Sequence, residues 1–136
     1  MIKTILGSSS SEILEKKSKF IGNAFYVESK EEAENKIKEL KNKYFDAKHN
    51  AIAYRVFEKD TVLERLSDDG EPSGTAGGPM LNILKKNNLC NVLVVVTRYF
   101  GGILLGTGGL VRCYSLATTR SFTKCRICTY LFRSQI

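Results

Sequence analysis

Residues 91–112 read NVLVVVTRYFGGILLGTGGLVR and place an apolar run, a glycine-dense segment and an amphipathic pattern next to one another. The continuous apolar run from Val92 to Val96 predicts a strand that is covered on both faces. The glycines between Gly101 and Gly109 predict a loop, because glycine favours backbone conformations outside helices and strands. Apolar residues at helical spacing from Leu110 to Ser121 then predict a long helix that ends near Lys124.

The rest of the chain mixes strands with helices. Ser29 and Glu32 have the spacing of a capping box, and an apolar stripe follows at helical spacing, so a helix is predicted there. The stripe consists of Ala33, Ile37, Leu40 and Tyr44. Further strands are predicted at residues 20–27, 50–58 and 61–66, with a short helix at 80–86. We expect an α+β fold, a two-layer sandwich of one sheet with helices on one face.

The composition is that of one globular domain. The chain has 136 residues, 43% of them hydrophobic and 26% charged. No apolar stretch approaches the roughly 20 residues that cross a bilayer, so we expect no membrane span. The N-terminus lacks the apolar segment of a secretory signal, and the cysteines therefore indicate reduced thiols in the cytoplasm. They are Cys90, Cys113, Cys125 and Cys128.

Charge is distributed unevenly along the chain, whose formal net charge is +7. Every acidic residue lies at or before Glu71, so residues 72–136 contain none. The basic residues of this acid-free part are Lys85, Lys86, Arg98, Arg112, Arg120, Lys124, Arg126 and Arg133. These cations either pair with acids of the first half or face an anionic partner, such as RNA or an acidic protein surface.

The first candidate site is residues 98–112, which we call the glycine segment. A helix N-terminus offers free amides to an anion, and arginines on both sides of the glycines would supply charge. Neither the P-loop pattern nor G-x-G-x-x-G is satisfied, so no nucleotide cofactor is expected. The alternative is a tight connection whose glycines only permit close packing. The predicted anion- or nucleic-acid-binding residues are Arg98, Tyr99, Gly101, Gly102, Gly106, Thr107, Gly108, Gly109 and Arg112.

A second candidate is the acidic loop that contains Asp68, Asp69 and Glu71. Its carboxylates would bind a divalent cation, close turns through their side chains, or balance the arginines of the glycine segment. The single histidine, His49, is a possible general base. The C-x-x-C pair at Cys125 lacks a second pair of ligands, so no metal site is assigned to it.

Five motifs together resemble the Impact / YigZ family. They are KSKFIG (17–22), DAKHN (46–50) followed by AYR (53–55), SDDGEPSGTAG (67–77), VVVTRYFGG (94–102) and LGTGGLVR (105–112). The resemblance implies a ribosomal-protein-S-five-domain-two-like fold and a cytoplasmic protein linked to translation control. Eukaryotic members of the family compete for the activator of an initiation-factor kinase.

The resemblance also implies a domain organisation. Residues 15–125 correspond to the Impact N-terminal domain, residues 1–14 are expected to be a flexible lead, and residues 126–136 a short tail. The second, ferredoxin-like domain of bacterial relatives is expected to be absent, which leaves a face that would permit a dimer. Leu104 stands where relatives usually carry lysine, and this removes one cation from the glycine segment.

Together these observations favour a non-catalytic regulatory protein that binds RNA, a ribosome-associated protein or another anionic partner through the glycine segment. One alternative is a divalent-cation-dependent phosphate or nucleotide hydrolase that uses the acidic loop and His49. The other is a protein-interaction module with purely structural motifs, in which Asp69 and Glu71 pair with the two arginines of the glycine segment.

Overall fold

The computed structural model describes residues 2–130. In chain order the elements are β1 (Ile2–Leu6), β2 (Ser8–Glu15), β3 (Ser18–Tyr26), α1 (Lys30–Lys43), β4 (His49–Glu58), β5 (Thr61–Ser67), α2 (Gly77–Lys86), β6 (Val92–Tyr99), α3 (Gly106–Thr123) and β7 (Arg126–Tyr130).

One five-stranded antiparallel sheet forms the centre of the molecule, with strand order β2-β3-β6-β4-β5. Its middle strand, β6, is the apolar run that the sequence identified, and residues Val92–Val96 are completely buried. A separate two-stranded ribbon pairs β1 with β7, and Ile2 lies opposite Tyr130.

Helices cover both faces of the sheet. Val94 and Val96 of β6 pack in the same apolar cluster as residues of α2 and α3. The alternate residues Leu93 and Val95 pack in a second cluster with the apolar stripe of α1. The α+β class is therefore confirmed, but the helices do not all lie on one face as expected: the two-sided apolar strand needs cover on each side.

The predicted start of α1 is confirmed in detail. Ser29 Oγ accepts a hydrogen bond from the Glu32 backbone N–H at 3.0 Å. The Glu32 carboxylate reaches back one residue further than a capping box requires and accepts from the Glu28 N–H at 3.3 Å. Ala33, Ile37 and Leu40 are buried against the sheet.

The expected flexible lead at residues 1–14 is wrong for the residues described. Residues 2–6 and 8–15 are strands, and β2 pairs with β3 from Ser8 opposite Phe25 to Glu15 opposite Ser18. Ile5 is completely buried in the core. The hydrogen bonds that order the serine run come from β3. The run itself has little strand propensity, so its local sequence does not predict a strand. Within the expected tail, residues 126–130 likewise form β7, and residues 131–136 lie outside the described part of the chain.

The helix α3 begins at Gly106, four residues before the predicted start at Leu110. Gly106 has a φ of +76°, which a glycine adopts without strain, and makes the bend into the helix. Packing of Leu110 and Tyr114 into the core then stabilises a first turn whose glycines disfavour a helix.

Gly101 fixes how closely two loops approach. A Cβ at this position would overlap the carbonyl oxygen of Lys17, in the turn between β2 and β3. Only a residue without a side chain permits this contact.

Two alanine substitutions in the glycine segment should therefore have opposite effects on stability. Gly101→Ala should lower the free energy of unfolding by about 1–3 kcal/mol, because its methyl group overlaps the Lys17 backbone. Gly108→Ala meets open space within α3 and should raise it by about 0.5–1 kcal/mol, since alanine favours a helix. Chemical denaturation of both variants measures the difference, and equal effects would contradict the packing described for Gly101.

Candidate functional site

A buried ion pair joins the acidic loop to the glycine segment. Glu71 follows β5 in the loop before α2, and Arg98 lies at the end of β6. Arg98 Nε donates to Glu71 Oε2 at 2.6 Å, and Nη2 donates to Oε1 at 2.9 Å. The Glu71 side chain is 1% exposed and that of Arg98 is 10% exposed. Such a two-point pair fixes both side chains and uses the charge of each.

Tyr114 and His49 complete the surroundings of the Glu71 carboxylate. The Tyr114 hydroxyl donates a short hydrogen bond to Glu71 Oε2 from α3. Burial, together with this bond to a carboxylate, raises the pKa of Tyr114. His49 Nε2 lies 3.6 Å from Glu71 Oε1. Glu71 thus contacts groups from three different elements.

The ring of His49 is oriented by the backbone of the acidic loop. Its Nδ1 lies 2.9 Å from the carbonyl oxygen of Asp69. A carbonyl oxygen only accepts, so this partner assigns the proton to Nδ1 and turns Nε2 toward Glu71. Because Nε2 faces a buried carboxylate, His49 holds the loop in place and is poorly placed to take a proton from a substrate.

Arg98 is held on all sides. Its Nη1 donates to Ser18 Oγ at 3.4 Å, and its guanidinium carbon lies 5.9 Å from the Phe20 ring centre and 5.6 Å from that of Phe100. Burial opposes its charge, but the hydrogen bonds and attraction from Glu71 outweigh that effect and raise the pKa of Arg98. The arginine predicted to face an anionic partner therefore has an internal one.

Asp68 organises the loop that carries Glu71. Its carboxylate accepts hydrogen bonds from the backbone N–H groups of Gly74 at 2.9 Å, Ala76 at 3.1 Å and Gly77 at 2.8 Å. Burial works against ionisation of Asp68, but these three bonds outweigh it and hold its pKa below the usual range. The carboxylate thereby fixes the approach of the loop to α2.

Asp69 ties the same loop to β4. Asp69 Oδ2 accepts from the Asn50 N–H at 2.7 Å, and Oδ1 lies 3.4 Å from Lys41 Nζ. Thus all three acidic residues of the loop have hydrogen-bond or ion-pair partners within the chain. Among the described side chains, those of residues 2–127, no group of three or more His, Cys, Asp or Glu is arranged to hold a metal ion.

Arg112 lies apart from this cluster. Arg112 Nη2 binds Glu15 Oε2 at 2.9 Å, and its side chain is 60% exposed. The structure therefore does not bring Arg98 and Arg112 together around one ligand. Tyr99 is also engaged: its hydroxyl donates to Asp46 Oδ1 at 2.7 Å, and this bond, followed by burial, raises its pKa to about 12.

A cavity of about 210 Å³ opens beside the ion pair. Arg98 and Glu71 form part of its wall, and the start of α3 contributes Gly106 and Thr107. No side chain among the described residues caps this helix end. The remaining wall is apolar and consists of Pro72, Phe100, Leu104, Leu105 and Leu110.

One alternative from the sequence paired Asp69 and Glu71 with Arg98 and Arg112, and another used His49 as a base. Of those pairs the structure forms only Glu71–Arg98, since Asp69 binds Asn50 and Lys41 and Arg112 binds Glu15. The sequence did not indicate that Tyr114 and Ser18 belong to the same cluster. Tyr114 belongs to the apolar stripe of α3, so its hydroxyl gave no separate sign. Ser18 lies in the first of the five motifs, and this position was the available signal. Ser18 Oγ also accepts from the Gly101 N–H at 3.2 Å.

The cysteines whose side chains are described, Cys90, Cys113 and Cys125, form no metal site. Cys90 and Cys113 are buried, and burial raises the pKa of each thiol. Cys125 is a half-buried thiol, and the side chain of Cys128 lies outside the described residues.

The protein is thus an α+β domain with an antiparallel sheet, in which a buried ion pair joins the acidic loop to the glycine segment. The family model described as the Impact N-terminal domain matches residues 16–122, and the chain belongs to this family. The resemblance inferred from the five motifs is confirmed.

Relatives share this domain over part of their length. The chain is 47% identical over 111 residues to the IMPACT family member YvyE of Bacillus subtilis, covering 82% of the chain and 51% of that protein. It is 42% identical over 100 residues to the IMPACT family member YigZ of Escherichia coli, covering 73% of the chain and 49% of that protein. The chain thus spans about half the length of these relatives.

Solved structures that are similar to this chain include two with sequence identities of 33% and 28%. One, a crystal structure of a hypothetical protein, has a TM-score of 0.87 and 33% identity, covering 93% of this chain and 62% of that one. The other is the two-domain translational regulator Yih1, with a TM-score of 0.56 and 28% identity, covering 85% of this chain and 47% of that one. Among residues 2–130, no helix has the length and apolar character needed to cross a membrane.

Removing the charge of Glu71 should destabilise the fold strongly. Glu71→Gln leaves Arg98 buried without a counter-charge, and we expect a loss of about 3–5 kcal/mol in the free energy of unfolding. The matched control is Glu15→Gln, which breaks the exposed pair with Arg112 and should cost less than about 1 kcal/mol. Urea denaturation at neutral pH measures both, and similar losses would contradict a structural role for the buried pair.

Asp68 should make part of the stability pH-dependent. Because its pKa is lower in the folded chain, ionised Asp68 stabilises the fold above the unfolded value of about 3.9, and this contribution is lost as the pH falls through the folded value. Asp68→Asn should therefore cost about 1–3 kcal/mol at pH 7, and the difference from wild type should shrink in acid. Denaturation across pH measures this, with Asp60→Asn in the exposed β4–β5 turn as control. A difference that stays constant with pH would contradict the prediction.

Proposed function

We propose that this domain is a non-catalytic binding domain linked to translation control, and that it acts in the cytoplasm on a ribosome-associated partner. The structural likeness to the translational regulator Yih1 supports the link to translation, as does membership of the Impact family. The partner contacts the surface formed by the glycine segment.

One observation carries the non-catalytic part of the proposal. The carboxylates of Asp68, Asp69 and Glu71 are all engaged by groups of the chain itself. A hydrolase of the kind considered above needs carboxylate oxygens free to bind a cation and a base free to activate water. Here the three carboxylates and the His49 ring all hold the acidic loop in place.

Only some of the residues predicted to bind a partner face solvent and are free to do so. Arg98 is neutralised by Glu71, so it packs against Phe100 and does not bind a ligand directly. The residues left for a partner are the exposed loop between Phe100 and Leu105, the first turn of α3 and Arg112. From the predicted set, this surface keeps Gly102, Gly106, Thr107, Gly108, Gly109 and Arg112.

This surface favours a protein partner over RNA. RNA binding needs cations directed at phosphates and aromatic faces open to bases. Here Glu71 neutralises Arg98, and Glu15 pairs with Arg112. Of the exposed apolar side chains of the loop, Phe100 alone is aromatic, and Ile103 and Leu104 offer no aromatic face to a base.

Sedimentation tests the proposal. We expect the purified chain, added to a ribosome-containing extract of its source cells, to co-sediment with ribosomal particles in a sucrose gradient. The double variant I103D/L104D should lose most of this association, because two charged groups replace the apolar contact. Leu6→Asp is the matched control, since Leu6 is also exposed but lies on β1, outside the glycine segment.

Two results would contradict the proposal. Absence of the wild-type chain from the ribosomal fractions would remove the link to translation. Equal association of wild type, control and double variant would remove the glycine segment as the binding surface.

A further inference from the structure

Three apolar side chains of one short loop face solvent. Phe100 is 46%, Ile103 42% and Leu104 83% exposed. Grouped exposed apolar residues on a small domain mark an interaction surface, whereas single ones are ordinary. Phe100 and Leu104 also line the cavity beside Arg98, so the exposed loop and the cavity form one surface, which we call the loop cleft.

The loop cleft has room for one large apolar group. An apolar cavity of roughly 150 Å³ takes up benzene, and the loop cleft offers about 210 Å³. Leu105 and Leu110 add to its apolar wall, and the charges of Arg98 and Glu71 cancel at its base. An uncharged aliphatic or aromatic side chain fits this lining, whereas a charged one would have no free counter-charge inside.

The surroundings of the loop cleft are basic. The turn between β2 and β3 lies directly against Gly101 and carries the exposed residues Lys16 and Lys17. The nearby carboxylates are already used, since Glu15 binds Arg112 and Glu71 binds Arg98. Neither the loop itself nor α3 contains an acidic residue.

We propose that the loop cleft binds an acidic segment of a partner protein, taking up one large apolar side chain while flanking carboxylates meet Lys16 and Lys17. The inference rests on the proposed function, because it specifies the chemistry of the protein partner. An apolar anchor in a pocket with charged groups at the rim is the usual division of roles in a protein interface: the anchor supplies affinity, and the rim charges supply orientation.

Direct binding to labelled peptides tests the proposal with the purified full chain. The probe is a short fluorescein-labelled peptide with a leucine-phenylalanine pair flanked by glutamates. One comparison peptide replaces the apolar pair with serines, a second replaces the glutamates with lysines, and a labelled oligouridine serves as the RNA probe. Anisotropy should report binding of the acidic apolar peptide only, with an affinity that falls as salt is raised.

Variants locate the binding surface. Leu104→Asp should weaken binding about tenfold or more, the loss expected for a central apolar anchor contact. The double variant K16E/K17E should also weaken binding and reduce its salt dependence. Leu6→Asp and Lys38→Glu are matched controls, because both positions lie away from the Lys16–Lys17 turn. Leu6 is next to Gly7, whose carbonyl accepts a hydrogen bond from the Tyr26 N–H at the opposite end of β3, and Lys38 lies on α1. Both controls should bind as the wild type does.

Four outcomes would overturn the proposal: no binding of the acidic apolar peptide, equal binding of either the serine or the lysine peptide, oligouridine binding that depends on Leu104, or a dimer in sedimentation velocity that Leu104→Asp dissociates. The ribosome gradient separates this result from the proposed function. Peptide binding without ribosome association would contradict only the link to translation, and ribosome association without peptide binding would contradict only the loop cleft.

Discussion

The Glu71 carboxylate is the constraint on which the rest of the structure depends. Burying this carboxylate and the Arg98 guanidinium carries a large desolvation free energy. That penalty is offset only when nearly every hydrogen-bonding position of both groups is filled. Here Arg98 takes both oxygens, and Tyr114 adds a bond to one of them. Because these groups come from β6 and α3, the carboxylate fixes the acidic loop, the central strand and the long helix relative to one another.

The sequence was most informative where a local pattern and the final packing agree. The apolar run of β6 and the capping residues of α1 are visible from composition and spacing alone, since burial on two faces and an N-cap leave direct marks. The β1–β7 ribbon and β2 left no such mark. These strands are ordered by hydrogen bonds to strands that are distant in sequence. The local sequence, such as the serine run at residues 8–11, does not indicate those bonds.

The same distinction explains the candidate site. Residue types and motifs brought Arg98, Glu71 and His49 to attention, but their partners depend on the register of β4 against β6, where His49 lies opposite Arg98. Spacing along the chain does not contain that register. The two arginines of the glycine segment looked equivalent in sequence, yet one is buried with Glu71 and the other lies on the surface with Glu15. Arg98 and Arg112 of the acid-free second half therefore take their counter-charges from the first half.

The pairing of β1 with β7 determines how the domain responds to tension. Ile2 and Tyr130 are opposite one another at the outer end of an antiparallel ribbon, so a load applied at these two positions acts across the interstrand hydrogen bonds. Under such a load the bonds break one pair after another, like a zipper, beginning with Ile2 and Tyr130. Once the first pair has opened, the load passes into the sheet, because the Lys3 N–H donates to the Asn88 carbonyl and the Cys90 N–H donates to the Lys3 carbonyl. These bonds lie just before β6, whereas the Glu71 cluster lies at the opposite end of that strand.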